Sequence, residues 1–487
     1  MIDISDCEGA DAPVFNAQEW IGLGKIWNDP MPVQVHQARS AARRIPDGIV
    51  SVLIPDKSVS VQELLVQSVR CNSSADGAKY NTDLPNTLTG DPHSAEFRHL
   101  LSQYRYTLLA SLNNLPSLRQ QFNSAWLSGA QSIHLPNDPL VCFPLWIEHL
   151  LSELDSYSRK EKAWTKASDW LQSTVGHSPD ESITGLAGDC FKSWNHVPWD
   201  GVVPGLGRAV VLSTKDLAKF LSNEWLNDDM INAGISWISH HVSSNRRIRI
   251  LNVFFVDALR NLHSTQNSYD SRRHQPLDRL ITNNQIDMVY APLHVHGNHW
   301  TLLRIDLEAR QYAYGDSLYP SARAPPGDVL DLLTWWLDSL APGPSLSPSS
   351  HGLVVPQQED TYSCGIIVLS TLACKLVDEC GPWEQQFHAS KRMEWYLRLS
   401  ERFRNFNDVS RKSSVRITTK TYIVHFIATN RYPETQLIIS RTWWVSASWD
   451  ISNSRKRHGY SRLSVYLSRR CFQLRIDIHP QQILFSA

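Results

Sequence analysis

At 487 residues the chain is too long for one ordinary compact domain, so two or three domains are expected. Apolar residues make up 42% and charged residues 20%, which excludes a chain disordered throughout. A formal net charge of −1 gives no global electrostatic case for nucleic acid or a membrane surface as the main partner.

In chain order, residues 1 to about 90 read as loop-rich, because Gly, Ser, Asp and Pro interrupt each apolar stretch. From about 95 to 175 the spacing turns helical. Phe97, Leu100, Leu101, Tyr104 and Leu108 recur at three- and four-residue steps, and so do Leu145, Ile147, Leu150, Leu151 and Leu154. This stretch is expected to be an accessory helical region packed on itself or on the next domain; a dedicated partner-binding helix pair is the other reading. No period of 20 to 50 residues repeats, which argues against a solenoid.

From about 206 to 404, strands and helices alternate, the pattern of an α+β domain. Ser213-Thr214-Lys215-Asp216 spells a helix start, a capping hydroxyl followed three residues later by a carboxylate. A helix over 227–242 has Met230, Ile231, Ile235 and Ile238 on one side. Residues 288–291, 301–305 and 311–314 read as strands, 329–340 as a helix, 353–355 as a short strand and 365–376 as an apolar helix directly behind a cysteine. From about 405 the chain is rich in Arg and Ser with little periodicity, and a basic, poorly ordered tail is expected. Within it, Arg455-Lys456-Arg457-His458 reads either as solvated surface or as a nuclear-import patch. The expected division is therefore 1–205, a loop-rich then helical N-terminal region of unknown function; 206–404, the α+β domain; and 405–487, the tail.

No apolar run approaches the roughly 20 residues that span a bilayer, and residues 1–6 lack a secretory pattern. The eight cysteines are scattered, with no CxxC and no zinc-ligand spacing. A soluble intracellular protein of the nucleus or cytoplasm is expected, with no metal, no organic cofactor, and neither a membrane nor nucleic acid as direct partner.

Eight cysteines and 19 histidines guarantee accidental pairs, so local context has to select the chemistry. Cys364 opens a helix, whose N-terminal partial charge favours a thiolate. His299 stands at the lip of a strand and can take the thiol proton. Asp316 follows the next strand and can hold the imidazole in one tautomer. Gln358, six residues before Cys364, can donate to a developing oxyanion together with the Cys364 N–H; Gln357 beside it is the rival. Gly365 leaves room for a substrate to approach.

At these residues the chain resembles the SUMO/NEDD8-type ubiquitin-like proteases, which share a papain-like fold with adenoviral protease. The nucleophile box is Pro356-Gln357-Gln358-Glu359-Asp360-Thr361-Tyr362-Ser363-Cys364-Gly365, the histidine box His299-Trp300-Thr301-Leu302-Leu303, the acidic box Asp316-Ser317-Leu318, and the upstream signature Trp225-Leu226-Asn227-Asp228. The spacer Glu359-Asp360-Thr361 departs from the family's usual small or Pro/Gly-containing one, and Ser363 stands where Asp is usual. The resemblance implies a papain-like α+β catalytic domain with Cys364, His299, Asp316 and Gln358 as catalytic residues. It also implies that Trp225 and Trp300 roof a channel for the modifier's Gly-Gly tail, although ordinary core packing is the other reading of both. Asp228 would contact the modifier's globular body. The implied partner is SUMO or a related modifier and its conjugates, and the implied reaction is cysteine-dependent cleavage after Gly-Gly. A NEDD8-type protease and a modifier-binding pseudo-protease are the alternatives, and acyl transfer to another acceptor is a more distant one.

Overall fold

The computed structural model describes residues 33–67, 77–135, 138–177, 180–207, 209–242, 247–265, 269, 275–377, 380–381, 383 and 388–413, and two short strands at 446–448 and 464–466. The chain divides into a first unit, Met1–Asn407, and a second, Asp408–Ala487. In the second, Ser446–Ser448 and Ser464–Tyr466 pair antiparallel. The expected tail falls almost wholly outside the described residues, as does the Arg455–His458 basic patch.

The described residues of the first unit open with helices where loops are expected: α1 (Val33–Arg43), α2 (Val50–Leu53) and α3 (Val61–Gln67). Pro46, Gly48 and Pro55 break the chain between them, while Val35, Ile49, Leu53, Val61 and Leu64 are buried. Strand β1 (Lys79–Asn81) follows, then α4 (Ala95–Gln103), α5 (Arg105–Ala110) and α6 (Leu115–Leu127). A hairpin the helical spacing conceals, β2 (Ser132–Leu135) and β3 (Asp138–Pro144), pairs with β1 in a three-stranded antiparallel sheet. The long α7 (Ile147–His177) and α8 (Glu181–Ser193) complete this region.

The second half of the unit is built on a five-stranded sheet in the order β4 (Ile248–Ile250), β5 (Met288–Val295), β6 (His299–Asp306), β7 (Gln311–Gly315), β8 (Ser347–Pro348). The central pairs β5/β6 and β6/β7 are antiparallel and the two edge pairs parallel. Period-two alternation buries both faces. Val289, Ala291, Leu293, Leu303, Ile305, Tyr312 and Tyr314 join a cluster with α11 (Phe255–Thr265) and α13 (Val329–Leu340). Tyr290, Trp300, Leu302 and Ala313 join the main core with α10 (Asp228–His241) and α14 (Cys364–Leu376). Between α11 and β5 lies the short α12 (Gln275–Thr282).

Helix starts follow the sequence signals. Ser213 Oγ accepts from Asp216 N at 3.0 Å and opens α9 (Thr214–Ala218), and Asn227 Oδ1 accepts from Met230 N at 3.0 Å to open α10. The expected strand at 353–355 is not one. A Cβ on Gly315 would lie 2.3 Å from Val355 Cγ2 and 2.9 Å from the Leu353 carbonyl, so this segment packs closely on β7 through the glycine without joining the ladder.

The main hydrophobic cluster runs from Val35 to Phe403 across position 206. The last helix, α15 (His388–Ser413), contributes Tyr396, whose ring meets Trp164 of α7 edge-on at 6.4 Å and whose hydroxyl lies 2.9 Å from Ser193 Oγ of α8.

Candidate active site

The site forms where β6, the loop after β7 and the start of α14 meet. A three-residue turn over 296–298 reverses the chain and places buried His299 opposite Val295 at the start of β6. Asp316, one residue past β7, is buried beside it, with His299 Nε2 and Asp316 Oδ1 2.7 Å apart. The same oxygen accepts from the backbone N–H groups of Leu318 and Tyr319 at 2.8 and 3.0 Å, and Oδ2 accepts from Tyr314 Oη at 3.2 Å. Burial works to raise the Asp316 carboxyl, but the His299, Tyr319 and Leu318 hydrogen bonds outweigh it and hold the group below the usual carboxylate range. An ionised carboxylate can only accept, so His299 Nε2 carries a proton and Nδ1 is left as the basic nitrogen.

Cys364 is buried at the first turn of α14. Burial pushes its thiol up, the reverse of the net direction expected for a helix N-terminus; the backbone N–H groups of Trp300 and Gly365 act in the expected sense, while the Asp360 carboxylate adds to the rise. Helix α14 packs against β6, the strand that His299 opens. The sequence identifies the helix but not how deeply its first residue is sunk.

Of the two adjacent glutamines, Gln358 is buried and Gln357 exposed. The Gln358 amide is held at both ends: Oε1 accepts from Ser317 Oγ at 2.9 Å and Nε2 donates to the Asp360 carbonyl at 2.8 Å. Its backbone N–H donates to Ser317 O at 2.9 Å, joining the acidic box to the nucleophile loop. Asp360, part of the spacer that departs from the family's usual one, organises that loop. Its carboxylate accepts from Tyr362 N at 2.9 Å, Ser363 N at 2.7 Å and Ser363 Oγ at 2.6 Å, closing a turn immediately ahead of the helix that Cys364 opens. Sequence reasoning missed Ser317 and Asp360; an aspartate whose side chain can accept from the backbone N–H groups two and three residues on is the turn signal that could have found the second.

Gly365 does not open a path for substrate. A Cβ there would meet Leu226 Cβ at 3.0 Å and Ile231 Cδ1 at 3.1 Å, so the glycine lets α14 close on the Trp225–Asp228 segment. Trp225 is half exposed and its indole N–H donates to Thr361 O at 2.6 Å, bridging that segment to the nucleophile loop. Trp300 is buried, with its indole N–H donating to Leu226 O at 2.8 Å, so it supports the segment from beneath. Asp228 lies partly exposed in the first turn of α10.

Residues 224–406 match the model of the Ulp1 protease family, C-terminal catalytic domain. Over this stretch the chain is similar to the Ulp1 protease family. Sentrin-specific protease 3 of Homo sapiens is 27% identical over 234 residues, covering 45% of this chain and 37% of that protein. Ubiquitin-like-specific protease 1 of Saccharomyces cerevisiae is 23% identical over 160 residues, 33% of this chain and 24% of its own. The chain thus spans well under half the length of these relatives. Among solved structures, the C-terminal Ulp1 protease domain in complex with Smt3, the yeast ortholog of SUMO, aligns at 20% identity and a TM-score of 0.33, over 49% of this chain and 96% of that one.

Away from this site, strand pairing brings together Asp83, His134 and Cys142, ligand-type residues that no sequence spacing reveals. His134 is already engaged there, with Nδ1 3.1 Å from Val141 O and Nε2 2.8 Å from Asn81 Nδ2, so the group closes as a polar network within the sheet.

Proposed function

We propose that the chain is a cysteine peptidase that cleaves after the C-terminal Gly-Gly of a ubiquitin-like modifier, with SUMO the first choice of substrate. The observation that carries this reading is the buried His299–Asp316 pair at 2.7 Å. It fixes the imidazole with its basic nitrogen free, in a domain whose nucleophile loop is tied to the acidic box through Gln358. The Trp225-Leu226-Asn227-Asp228 signature and the names of the relatives support the choice of modifier.

In this mechanism the Cys364 thiol passes its proton to His299 Nδ1 as the sulfur attacks the glycine carbonyl carbon. The developing oxyanion accepts from the second N–H of Gln358 Nε2 and from the Cys364 backbone N–H. Asp316 stabilises the imidazolium. Collapse of the tetrahedral intermediate breaks the C–N bond, and His299 delivers its proton to the departing lysine or peptide amine. Water activated by His299 then adds to the thioester, releasing the glycine carboxylate and restoring the thiol. Burial works against the charged thiol, so pairing with the imidazolium of His299 would stabilise the thiolate as it attacks. Trp225 and Trp300 would flank a tail that only glycines are slim enough to thread, and Asp228 would meet the modifier's body.

Steady-state cleavage of matched isopeptide substrates carrying SUMO, NEDD8 or ubiquitin tests the assignment. Preferential turnover of the SUMO substrate is expected. Preference for NEDD8 would replace the modifier, and stable binding without cleavage would replace the enzyme by a modifier-binding module.

A further inference from the structure

Arg392, on α15, is the only fully buried arginine among the described residues, at 0% exposure. Among those residues no carboxylate lies within ion-pair distance of it. Its guanidinium faces three backbone carbonyls: Nη1 donates to Lys219 O at 3.3 Å, and Nη2 donates to Glu224 O at 2.9 Å and to Tyr362 O at 3.3 Å. Its Cζ lies 5.3 Å from the centre of the Tyr362 ring. A cation taken wholly out of water and left without a counter-ion costs several kcal/mol, so its retention asks what it holds.

The carbonyls give the answer. Glu224 immediately precedes Trp225, and Tyr362 stands two residues before Cys364. One donor group, Nη2, therefore reaches both the segment carrying the exposed tryptophan and the loop carrying the nucleophile. The Trp225 indole crosses the same gap from the outside, donating to Thr361 O at 2.6 Å. Trp395, three residues on, donates from Nε1 to Ser370 Oγ of α14 at 3.1 Å and ties the helix bearing Arg392 to the helix that Cys364 opens.

We propose that Arg392 is a positioning residue of the active site, a buried cationic clamp that fixes the Trp225 segment against the nucleophile loop and sets a positive charge against that loop two residues before Cys364. The inference rests on the nucleophile assignment made above. Burial lowers the guanidinium to about 10, and the groups facing it, Tyr362, Asp360, Cys364 and Glu224, all favour its charged form, so it remains a cation at neutral pH. It opposes the Asp360 carboxylate, which closes a turn in the same loop and works against the thiolate.

The test is the pH profile of Cys364 alkylation by iodoacetamide in the full chain, followed at the Cys364 peptide by mass spectrometry, with thermal unfolding as the check on folding. In Arg392→Met the inflection moves to higher pH and the rate at pH 7 falls by roughly threefold to tenfold. Arg392→Lys keeps a charge but cannot hold both carbonyls from one planar fork, so it loses about twofold to fivefold; it decides the matter if the methionine variant does not fold. A reactive wild type with a superimposable profile in either folded variant overturns the clamp. A wild-type Cys364 that resists alkylation from pH 5 to 10 overturns the nucleophile assignment instead.

Discussion

Replacing Asp316 by asparagine removes one charge and little else. Oδ1 accepts three N–H groups, two of them from the backbone of Leu318 and Tyr319 at 2.8 and 3.0 Å. Those two donors do not depend on His299, so they hold an asparagine carbonyl oxygen where Oδ1 was and keep its NH2 group away from the imidazole. His299 then retains its tautomer, unlike the aspartate-to-asparagine change in a serine-protease triad that costs about 10⁴ through the wrong tautomer. What remains is the difference between a charge-assisted and a neutral form of a 2.7 Å hydrogen bond, about 0.5–2 kcal/mol. At about 1.36 kcal/mol per decade, kcat/KM should fall roughly 2- to 30-fold. The assay is initial-rate cleavage of a SUMO C-terminal fluorogenic substrate, with circular dichroism confirming the fold. A loss below twofold would refute the ion-pair role, and a loss beyond about 10⁴ would refute the argument that Leu318 and Tyr319 fix the tautomer.

Three further outcomes follow from the same geometry. Ser317→Ala frees Gln358 Oε1, so kcat should drop about fivefold to tenfold with KM little changed, consistent with loss of one neutral hydrogen bond of about 1 kcal/mol; a pure KM effect would speak against oxyanion positioning. Trp225→Ala removes the indole that meets Thr361 O, and KM for substrates bearing the Gly-Gly tail should rise more than kcat falls; equal effects on a small thiol reagent would point to loop collapse instead. Asp316 has a folded-state carboxyl held below its ordinary value, so it contributes stability above the unfolded carboxylate range of about 4 that is lost as pH falls through the lower folded value. Asp316→Asn should therefore flatten the acid limb of Tm against pH while lowering Tm at pH 7, and parallel curves would contradict this.

Much of the site was legible because its signals are local. Asn227 caps a helix, period-two runs make β5 to β7, and an apolar run behind Cys364 makes α14, so order along the chain already placed His299, Asp316, Gln358 and Cys364 near element ends. What stayed hidden depends on contacts between distant segments. Arg392 lies 168 residues from one of its partners, Glu224, and nothing in its neighbourhood marks it as buried. The strand expected over 353–355 failed because Gly315 offers a notch to Val355 that only the folded sheet reveals. The hairpin β2–β3 was absorbed into a helical stretch because β3 is an unalternating apolar run interrupted by Pro139 and Pro144, which leaves the four residues of β2 without a visible partner. The rise in the Cys364 thiol reflects burial depth, which helix position alone does not specify.

The most direct test of the central claim is to map the covalent adduct formed with a SUMO derivative bearing a C-terminal electrophile. The account expects a single adduct, located on Cys364, absent in Cys364→Ser and strongly slowed in His299→Ala. An adduct on Cys374, Cys380 or Cys142, or equal labelling of wild type and Cys364→Ser, would contradict it.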